Sequence, residues 1–385
     1  MDKKNKNPNV PNLRFPIFHF DWNENYFGNI CTIRSGIGFK ADEYVEQGVP
    51  LLKIDNVGYG NIKWNNISYL PETYLKQYPF LKLNENDIVL ALNRPITNNQ
   101  LKISKLTSKD IPSILYQRVG KINVSSDYNL DYIYYLLTKN VFDFVLKTSI
   151  GSDQPFISTE NLKKLIMKVP TITEQQKIGH FLSLIDQRIQ TQIKIIDDYN
   201  SLKMGIYNWM FKENYADYKL KQLAYIVKGD QINNDQLLSN GSYYMMNGGT
   251  SPSGYLDSYN VSENTISISE GGNSCGYVQF NSSPFWSGGH CYTIQNVNSA
   301  LIENKYLYHY LKHKEKEIMN LRIGTGLPNI QKKDLENFTI FVPSLLIQSK
   351  NLALFEMLDE KICILNEELE RLEMQKKYLL RNMFI

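Results

Sequence analysis

Few residues of this sequence stand at spacings that could perform catalysis. The sequence contains no GxxxxGK[ST] phosphate loop, no GxGxxG turn and no HExxH zinc helix. It also lacks the signature of adenine methyltransferases, in which Asn or Asp precedes two prolines and an aromatic residue. Glu303-Asn304-Lys305 spells the ExK triplet of many nucleases but has no well-placed upstream acid, and the start of a solvated helix is the alternative. The sequence therefore favours binding over catalysis.

Polar residues at the ends of strand-like segments offer hydrogen bonds that suit DNA. Gln117 and Arg118 end an apolar strand, and in the major groove Arg pairs with guanine and Gln with adenine. A buried structural pair is the alternative for these two residues. Asn93 and Arg94 precede Pro95, and for them the alternative is a turn with a surface arginine.

Glycine-rich turns take the same place in the second half of the chain. Asn247-Gly248-Gly249 could cradle a phosphate through backbone N–H groups, or could be a tight turn that needs positive φ. His290, near Trp286, is either a DNA contact or a satisfied core histidine. The predicted DNA-binding residues are Lys53, Asn56, Tyr59, Asn93, Arg94, Gln117, Arg118, Asn247, Gly248, Gly249, Ser253, Tyr255, Asn273, Ser287 and His290.

The chain repeats itself at an offset of 173 residues. Val169-Pro170 opens a long amphipathic run and Val342-Pro343 opens a second one, with 342 − 169 = 173. At the same offset Gln175 meets Gln348, and both runs end in Met-Phe. An ungapped match of this length indicates a duplicated unit, in which a globular segment precedes a long helix.

Each run has the heptad spacing of one long helix with a narrow apolar stripe. From Gln175 to Phe211 the helix would be about 55 Å long at the rise of about 1.5 Å per residue. The predicted seam residues are Ile185, Ile189, Ile196, Tyr199, Ile206, Met210, Leu358, Ile362, Leu365, Leu369, Leu372, Leu379 and Met383.

The two stripes need partners. A coiled-coil homodimer through one helix is the common solution. Here one chain carries two matching stripes, so pairing within the chain loses less entropy than pairing between molecules. Two copies of one unit usually pack about a two-fold axis, and we therefore expect an antiparallel intramolecular helix pair.

Composition indicates a globular protein of 385 residues, with 42% hydrophobic residues and a formal net charge of +3. That charge permits nucleic-acid binding without requiring it. The four cysteines lack metal-ligand spacing, and neither a signal peptide nor a transmembrane run is visible, so we expect a cytoplasmic protein without a metal site. The predicted limits are a flexible leader at 1–13, a first recognition domain at 14–170, a long helix at 171–212, a second recognition domain at 213–343 and a second long helix at 344–385.

Taken together, these features resemble the specificity (S) subunits of type I restriction–modification systems. The resemblance covers nearly the whole chain. It is carried by the Val-Pro…Gln helix openings and by the lead-ins Gly151-Ser152-Asp153-Gln154-Pro155-Phe156-Ile157 and Gly324-Thr325-Gly326-Leu327-Pro328-Asn329-Ile330. The segments 116–118 and 247–255 also look like motifs of the family's recognition domains.

The resemblance implies two α/β (α+β) target recognition domains separated by two long helices that pair antiparallel. It implies a subunit with no active site that binds an asymmetric double-stranded DNA site and holds two methyltransferase subunits, with restriction subunits joining to cleave. S-adenosylmethionine, ATP and Mg²⁺ would then belong to the partner subunits. A coiled-coil adaptor that binds only proteins, and an enzyme with an unrecognised site, are the alternatives.

Overall fold

A computed structural model describes residues 9–148, 156–211, 215–324 and 326–385. The chain divides into two compact units. Unit 1 comprises Met1–Thr191 with Leu369–Ile385, and unit 2 comprises Gln192–Glu368. The predicted lead-in at 151–155 and Thr325 lie outside the described residues.

Unit 1 is an α+β unit built largely from short strands. Its strands are β1 (Asn23–Tyr26), β2 (Cys31–Ser35), β3 (Val49–Leu52), β4 (Tyr69–Leu70), β5 (Lys82–Leu83), β6 (Ile88–Ala91), β7 (Ile96–Thr97), β8 (Gln100–Leu101), β9 (Ile103–Lys105), β10 (Ser113–Leu115), β11 (Val119–Val124) and β12 (Ile166–Val169). Its helices are α1 (Phe27–Ile30), α2 (Tyr74–Gln77), α3 (Leu130–Thr148), α4 (Thr159–Lys163) and the first part of α5 (Ile172–Met210).

Two four-stranded sheets form the body of unit 1. One has the order β2-β11-β6-β9 and is antiparallel, and the other has the order β4-β3-β10-β5, with β3 and β10 parallel. Strand β6 is buried at every position. Alternate side chains of a strand point to opposite faces: Ile88 and Leu90 join the cluster that contains α3, whereas Val89 and Ala91 join the cluster of the second sheet. Because both faces are covered, the strand is an unbroken apolar run.

Unit 2 repeats this plan with different details. Its strands are β13 (Ala216–Lys219), β14 (Tyr225–Lys228), β15 (Tyr243–Met246), β16 (Gly254–Leu256), β17 (Thr265–Ser269), β18 (Val278–Asn281), β19 (Trp286–Ser287), β20 (Cys291–Gln295) and β21 (Thr339–Val342). Its helices are α6 (Leu220–Leu223), α7 (Asn304–His313), α8 (Glu315–Met319), α9 (Lys332–Glu336) and the first part of α10 (Leu345–Met383). The main sheet has the order β14-β20-β17-β18, and a second sheet has the order β16-β15-β19, with β15 and β19 parallel.

The two long helices run antiparallel inside each unit. In unit 1, Lys376 Nζ of α10 lies 2.6 Å from Asp186 Oδ1 of α5. In unit 2, Lys203 of α5 pairs with Asp359 of α10. These pairs correspond at the repeat offset, since 359 − 186 = 173 and 376 − 203 = 173. The structure thus confirms the predicted fold class of two α+β units and an intramolecular antiparallel helix pair.

All of the predicted seam residues lie buried or half-buried, and none is exposed. Gln192, a polar interruption of the stripe, is also buried, and its Nε2 donates a hydrogen bond of 2.8 Å to the Leu365 carbonyl on α10. The interruption is therefore satisfied across the helix pair, which is the condition for burying an amide.

The glutamine of each helix opening ties the long helix to its own unit. Gln175 Oε1 accepts from the Asn129 N–H at 3.0 Å, and its Nε2 donates to the Pro170 carbonyl at 2.9 Å. Gln348 does the same with the Glu303 N–H and the Pro343 carbonyl, each at 2.8 Å. Asn129 and Glu303 directly precede α3 and α7. The repeated motif thus satisfies an N–H group at the start of a core helix.

The described end of the predicted leader is hydrogen-bonded to unit 1. The Leu13 N–H donates to the Asn382 carbonyl at 2.9 Å, and Lys168 Nζ donates to Asn9 Oδ1 at 2.8 Å. These bonds hold residues 9–13 against unit 1. The predicted domain limits, including those of the leader, stay predictions. No helix in the described ranges has the length and apolarity that crossing a membrane requires.

Candidate nucleic-acid interface

In unit 1, candidate residues meet where strands of the two sheets end. Gln117 and Arg118 form the turn between β10 and β11, and the Arg118 carbonyl accepts from the Leu92 N–H at 2.9 Å. Asn93 and Arg94 follow Leu92 directly. Two loops of candidate residues therefore lie side by side.

The side chains of Gln117, Arg118 and Arg94 are exposed, and Asn93 is half-buried. The alternative of a buried Gln117–Arg118 pair is excluded. Arg94 and Arg118 both have positive φ, +46° and +65°, a conformation that is uncommon for residues other than glycine. Both turns thus have an exposed arginine at a position whose positive φ would favour glycine.

The loop after β3 divides into structural and accessible residues. Asn56 is buried, and its side chain bonds to the Lys53 N–H and to the carbonyls of Lys63 and Asn65. The side-chain amide of Asn56 thus holds the loop together, and its predicted contact with DNA stays a prediction. Lys53 is half-buried, with Nζ 2.9 Å from Ser68 Oγ. Tyr59 is also half-buried, and its hydroxyl lies 2.6 Å from Thr97 Oγ1.

In unit 2, the Asn247-Gly248-Gly249 turn packs against the turn that ends at His290. Asn247 Oδ1 accepts from the His290 N–H at 2.9 Å, and Ser269 Oγ donates to the Gly248 carbonyl at 2.7 Å. Gly248 has φ +83°, and a Cβ there would come within 3.2 Å of His290 Cβ. The positive φ at position 248 thus favours glycine, and any side chain there would also crowd His290.

The remaining candidates of unit 2 differ in exposure. His290 is exposed over 61% of its side chain, so the core-histidine alternative is excluded. Asn273, Ser253 and Tyr255 are exposed as well. Ser287 is buried and its hydroxyl lies 3.4 Å from the Cys291 carbonyl, and its predicted contact with DNA stays a prediction.

Backbone hydrogen bonds show which positions correspond in the two units. The Leu92 N–H bonds to the Arg118 carbonyl in unit 1, and the Glu270 N–H bonds to the His290 carbonyl in unit 2, both at 2.9 Å. Gly36 and Gly229 also correspond: a Cβ on Gly36 would lie 2.4 Å from the Leu115 carbonyl oxygen, and one on Gly229 would lie 2.3 Å from the Ser287 carbonyl oxygen. The same strand-end loops therefore carry the candidates in both units.

Sequence reasoning missed a polar network beneath the loops of unit 2. Glu270 is buried, and its Oε1 accepts from Lys228 Nζ at 2.6 Å and from the Tyr292 hydroxyl at 3.0 Å. Burial raises the pKa of Tyr292, and the hydrogen bond to Glu270 raises it further. The sequence signal that could have indicated this network is Glu270, a carboxylate directly after the strand β17, which is buried throughout.

Two short motifs that match catalytic signatures lie in other local structure than those signatures require. In the ExK triplet, Glu303 precedes α7, and Lys305 Nζ pairs with Glu356 Oε1 at 2.5 Å, which supports the helix-start alternative. Gly272-Asn273-Ser274-Cys275-Gly276 has the GxSxG spelling, which sequence reasoning overlooked. A nucleophile turn of that kind leads from a strand into a helix. Here the turn leads into strand β18 instead. Within the described ranges, no group of three or more His, Cys, Asp or Glu side chains could hold a metal ion.

Two copies of one α+β unit, joined by long paired helices and carrying different residues on corresponding loops, define a duplicated recognition subunit. The family model of the type I restriction modification DNA specificity domain matches the chain twice, at residues 21–197 and 212–374. The chain belongs to this family. The resemblance seen in the sequence is confirmed, and so is the duplication.

Two curated relatives and one solved structure illustrate the similarity. The MjaVIII specificity subunit of Methanocaldococcus jannaschii is 42% identical over 190 residues, which are 49% of this chain and 45% of the relative. The EcoAI specificity subunit of Escherichia coli is 29% identical over 175 residues, which are 45% of this chain and 29% of the relative. Each alignment thus spans less than half of the relative's length.

The crystal structure of a type I restriction-modification system S subunit from M. genitalium matches 98% of this chain and 99% of its own. The TM-score is 0.63 and the sequence identity is 18%. At this identity the match supports the fold alone.

Proposed function

We propose that this chain is the specificity subunit that reads an asymmetric, bipartite double-stranded DNA site for a type I restriction–modification complex. Each unit would read one half-site through its strand-end loops. The supporting observation is that corresponding loops expose different hydrogen-bonding residues. Gln117 and Arg118 occupy the turn in unit 1 that Gly289 and His290 occupy in unit 2.

The chemistry of these side chains suits base edges in the major groove. Arginine donates two hydrogen bonds to the O6 and N7 atoms of guanine, and glutamine pairs with the N6 and N7 atoms of adenine. Exposed glycine-rich turns allow the backbone to approach phosphates closely. Different residues on one scaffold would therefore give two different half-sites, since loops determine specificity on a common frame.

Catalysis would belong to the partners. In this proposal two methyltransferase subunits bind S-adenosylmethionine and methylate adenine, and restriction subunits use ATP and Mg²⁺ for cleavage. This chain would bind no cofactor of its own. It would bind DNA and hold the partner subunits there, in the cytoplasm. A location in the cytoplasm stays a prediction.

An exchange of segments tests the proposal. Residues 213–341 are replaced by the equivalent segment of a relative, the complex is expressed with its partners, and methylated adenines are mapped by sequencing. We expect one half of the methylated motif to change and the other half to stay. Exchange of residues 14–168 is the matched control and should change only the other half.

Two results would contradict the proposal. If either exchange changes both halves of the methylated motif, the hypothesis that each unit recognises one half-site is refuted. No sequence-specific binding in the presence of the methyltransferase partners would favour the alternative of an adaptor that binds only proteins.

A further inference from the structure

The polar network of Lys228, Glu270 and Tyr292 lies next to the candidate loops of unit 2. Glu270 is only 8% exposed, yet its Oε1 accepts hydrogen bonds from Lys228 Nζ at 2.6 Å and from the Tyr292 hydroxyl at 3.0 Å. It directly follows strand β17, and its N–H bonds to the His290 carbonyl. A carboxylate is therefore buried immediately behind the exposed loops.

Unit 1 shows that the scaffold does not need this carboxylate. Leu92 occupies the position of Glu270, since their N–H groups bond to the corresponding Arg118 and His290 carbonyls. The position of the Lys228–Tyr292 pair, next to Gly229, is occupied in unit 1 by Ser35 and Gly120, next to Gly36. An apolar leucine is fully compatible with this fold. A buried carboxylate that is paired, as Glu270 is with Lys228 and Tyr292, is often no more stabilising than an apolar side chain in its place. Stability alone therefore does not explain why unit 2 has a carboxylate where unit 1 has leucine.

The carboxylate of Glu270 lies next to two exposed side chains that can donate hydrogen bonds. The side chain of Lys228 is 52% exposed and that of His290 is 61% exposed. Glu270 Oε1 holds the Lys228 ammonium, while Oε2 lies 3.8 Å from His290 Nδ1. Oε2 is buried and has no hydrogen-bond partner among the described residues. A buried acceptor without a hydrogen bond thus lies close to the imidazole ring that the loop exposes.

We propose that Glu270 is a positioning residue for DNA recognition by unit 2, which holds Lys228 as a donor for the acceptor edge of a guanine. The inference rests on the proposed function. Lysine donates to the O6 and N7 atoms of guanine in the major groove. A flexible lysine side chain loses considerable conformational entropy when it binds DNA. A fixed carboxylate that already restricts the lysine in the free protein reduces the entropy lost on binding. His290 is placed beside the same carboxylate, from which it can be oriented in the same way.

The test uses the complete complex with its methyltransferase partners. The wild-type motif is first mapped from methylated adenines, and the segment exchange assigns one half of it to unit 2. Affinity is then measured on duplexes that carry this motif and on duplexes with single changes in either half. The variants are Glu270→Leu, which installs the residue of unit 1, Glu270→Gln, Lys228→Ala and the double variant Glu270→Leu/Lys228→Ala.

We expect Glu270→Leu to fold, because Leu92 fills the same position in unit 1. Its thermal stability should change little, because the Tyr292 hydroxyl keeps a second acceptor in the Ile330 carbonyl, 3.2 Å away. It should reduce discrimination at a guanine of the unit 2 half-site by about tenfold, within the range expected for a good base contact. Lys228→Ala should cause the same loss, and the double variant should add little because the two residues act together. Glu270→Gln keeps an oxygen acceptor and should recover part of the discrimination. Glu317→Gln, at an exposed ion pair with Lys314, is the matched control and should change nothing.

Each other outcome has a defined meaning. Equal loss on all duplexes would indicate a structural or phosphate role and would overturn the inference, as would a unit 2 half-site without guanine. If Glu270→Leu unfolds, the Lys228→Ala variant still tests the inference. The inference is overturned if that variant discriminates at the guanine as well as the wild type does. A selective wild-type complex with unaffected variants refutes only this inference, whereas a wild-type complex without any sequence preference refutes the proposed function.

Discussion

Replacement of Gln348 by methionine should destabilise the start of α7. The side chain of Gln348 is fully buried and makes three hydrogen bonds of 2.8 Å, from the Glu303 N–H and to the carbonyls of Leu301 and Pro343. Methionine has a similar length but can replace none of these bonds. The Gln348→Met variant therefore leaves one donor and two acceptors without their partner.

The magnitude follows from the buried groups that lose a partner. A buried donor or acceptor left unsatisfied costs about 1–3 kcal/mol, and partial rescue by solvent reduces the sum. We expect about 2–4 kcal/mol for Gln348→Met. Gln175→Met breaks two bonds instead of three and should cost less. Gln190→Met, at an exposed position of α5, should stay within about 0.5 kcal/mol of wild type.

Amide hydrogen exchange is the appropriate assay, because unfolding of a chain with two compact units need not be two-state. A loss of about 2 kcal/mol corresponds to roughly 30-fold faster exchange by local opening. The increase for Gln348→Met should be concentrated in amides around residues 301–306. Exchange that matches the Gln190→Met control would refute the view that this glutamine secures the junction.

Arg118→Ala should weaken binding by about 1–3 kcal/mol on the cognate site and less on random DNA, as measured by titration; equal losses would remove Arg118 from base readout. Burial lowers the pKa of His309 to about 4, whereas the unfolded value is near 6.5. The contribution of neutral His309 to the stability of unit 2 should be fully present above about pH 6.5 and be lost as the pH falls towards 4. His309→Gln should remove this part of the pH dependence in denaturation experiments. Gly229→Ala should destabilise by about 1–3 kcal/mol, because its Cβ would lie 2.3 Å from two carbonyl oxygens. Gly205→Ala meets nothing within 4 Å and should stabilise α5 by about 0.5–1 kcal/mol in thermal melts.

Features written in local spacing could be predicted from the sequence. The heptad stripe of α10 indicates a long helix with one apolar face, and the 173-residue offset indicates duplication without knowledge of any contact. The Val-Pro…Gln openings mark both helix starts, although the role of Gln348 in bonding the Glu303 N–H was not visible. Such patterns can be recognised without a structure, because helix periodicity and repetition depend on residues that are near in sequence or at one constant offset.

The accessibility of the candidate residues was decided only by tertiary structure. Asn56 and Arg118 both looked like polar loop residues, but the first is enclosed by carbonyls of its own loop and the second is exposed in a positive-φ turn. The network around Glu270 depends on the pairing of β17 with β20 and of β20 with β14, which are distant in sequence. Sequence therefore determined the repeat and its helices, whereas strand register determined which polar groups reach the surface. Register is a long-range property, because a shift by one residue turns every side chain of a strand to the opposite face.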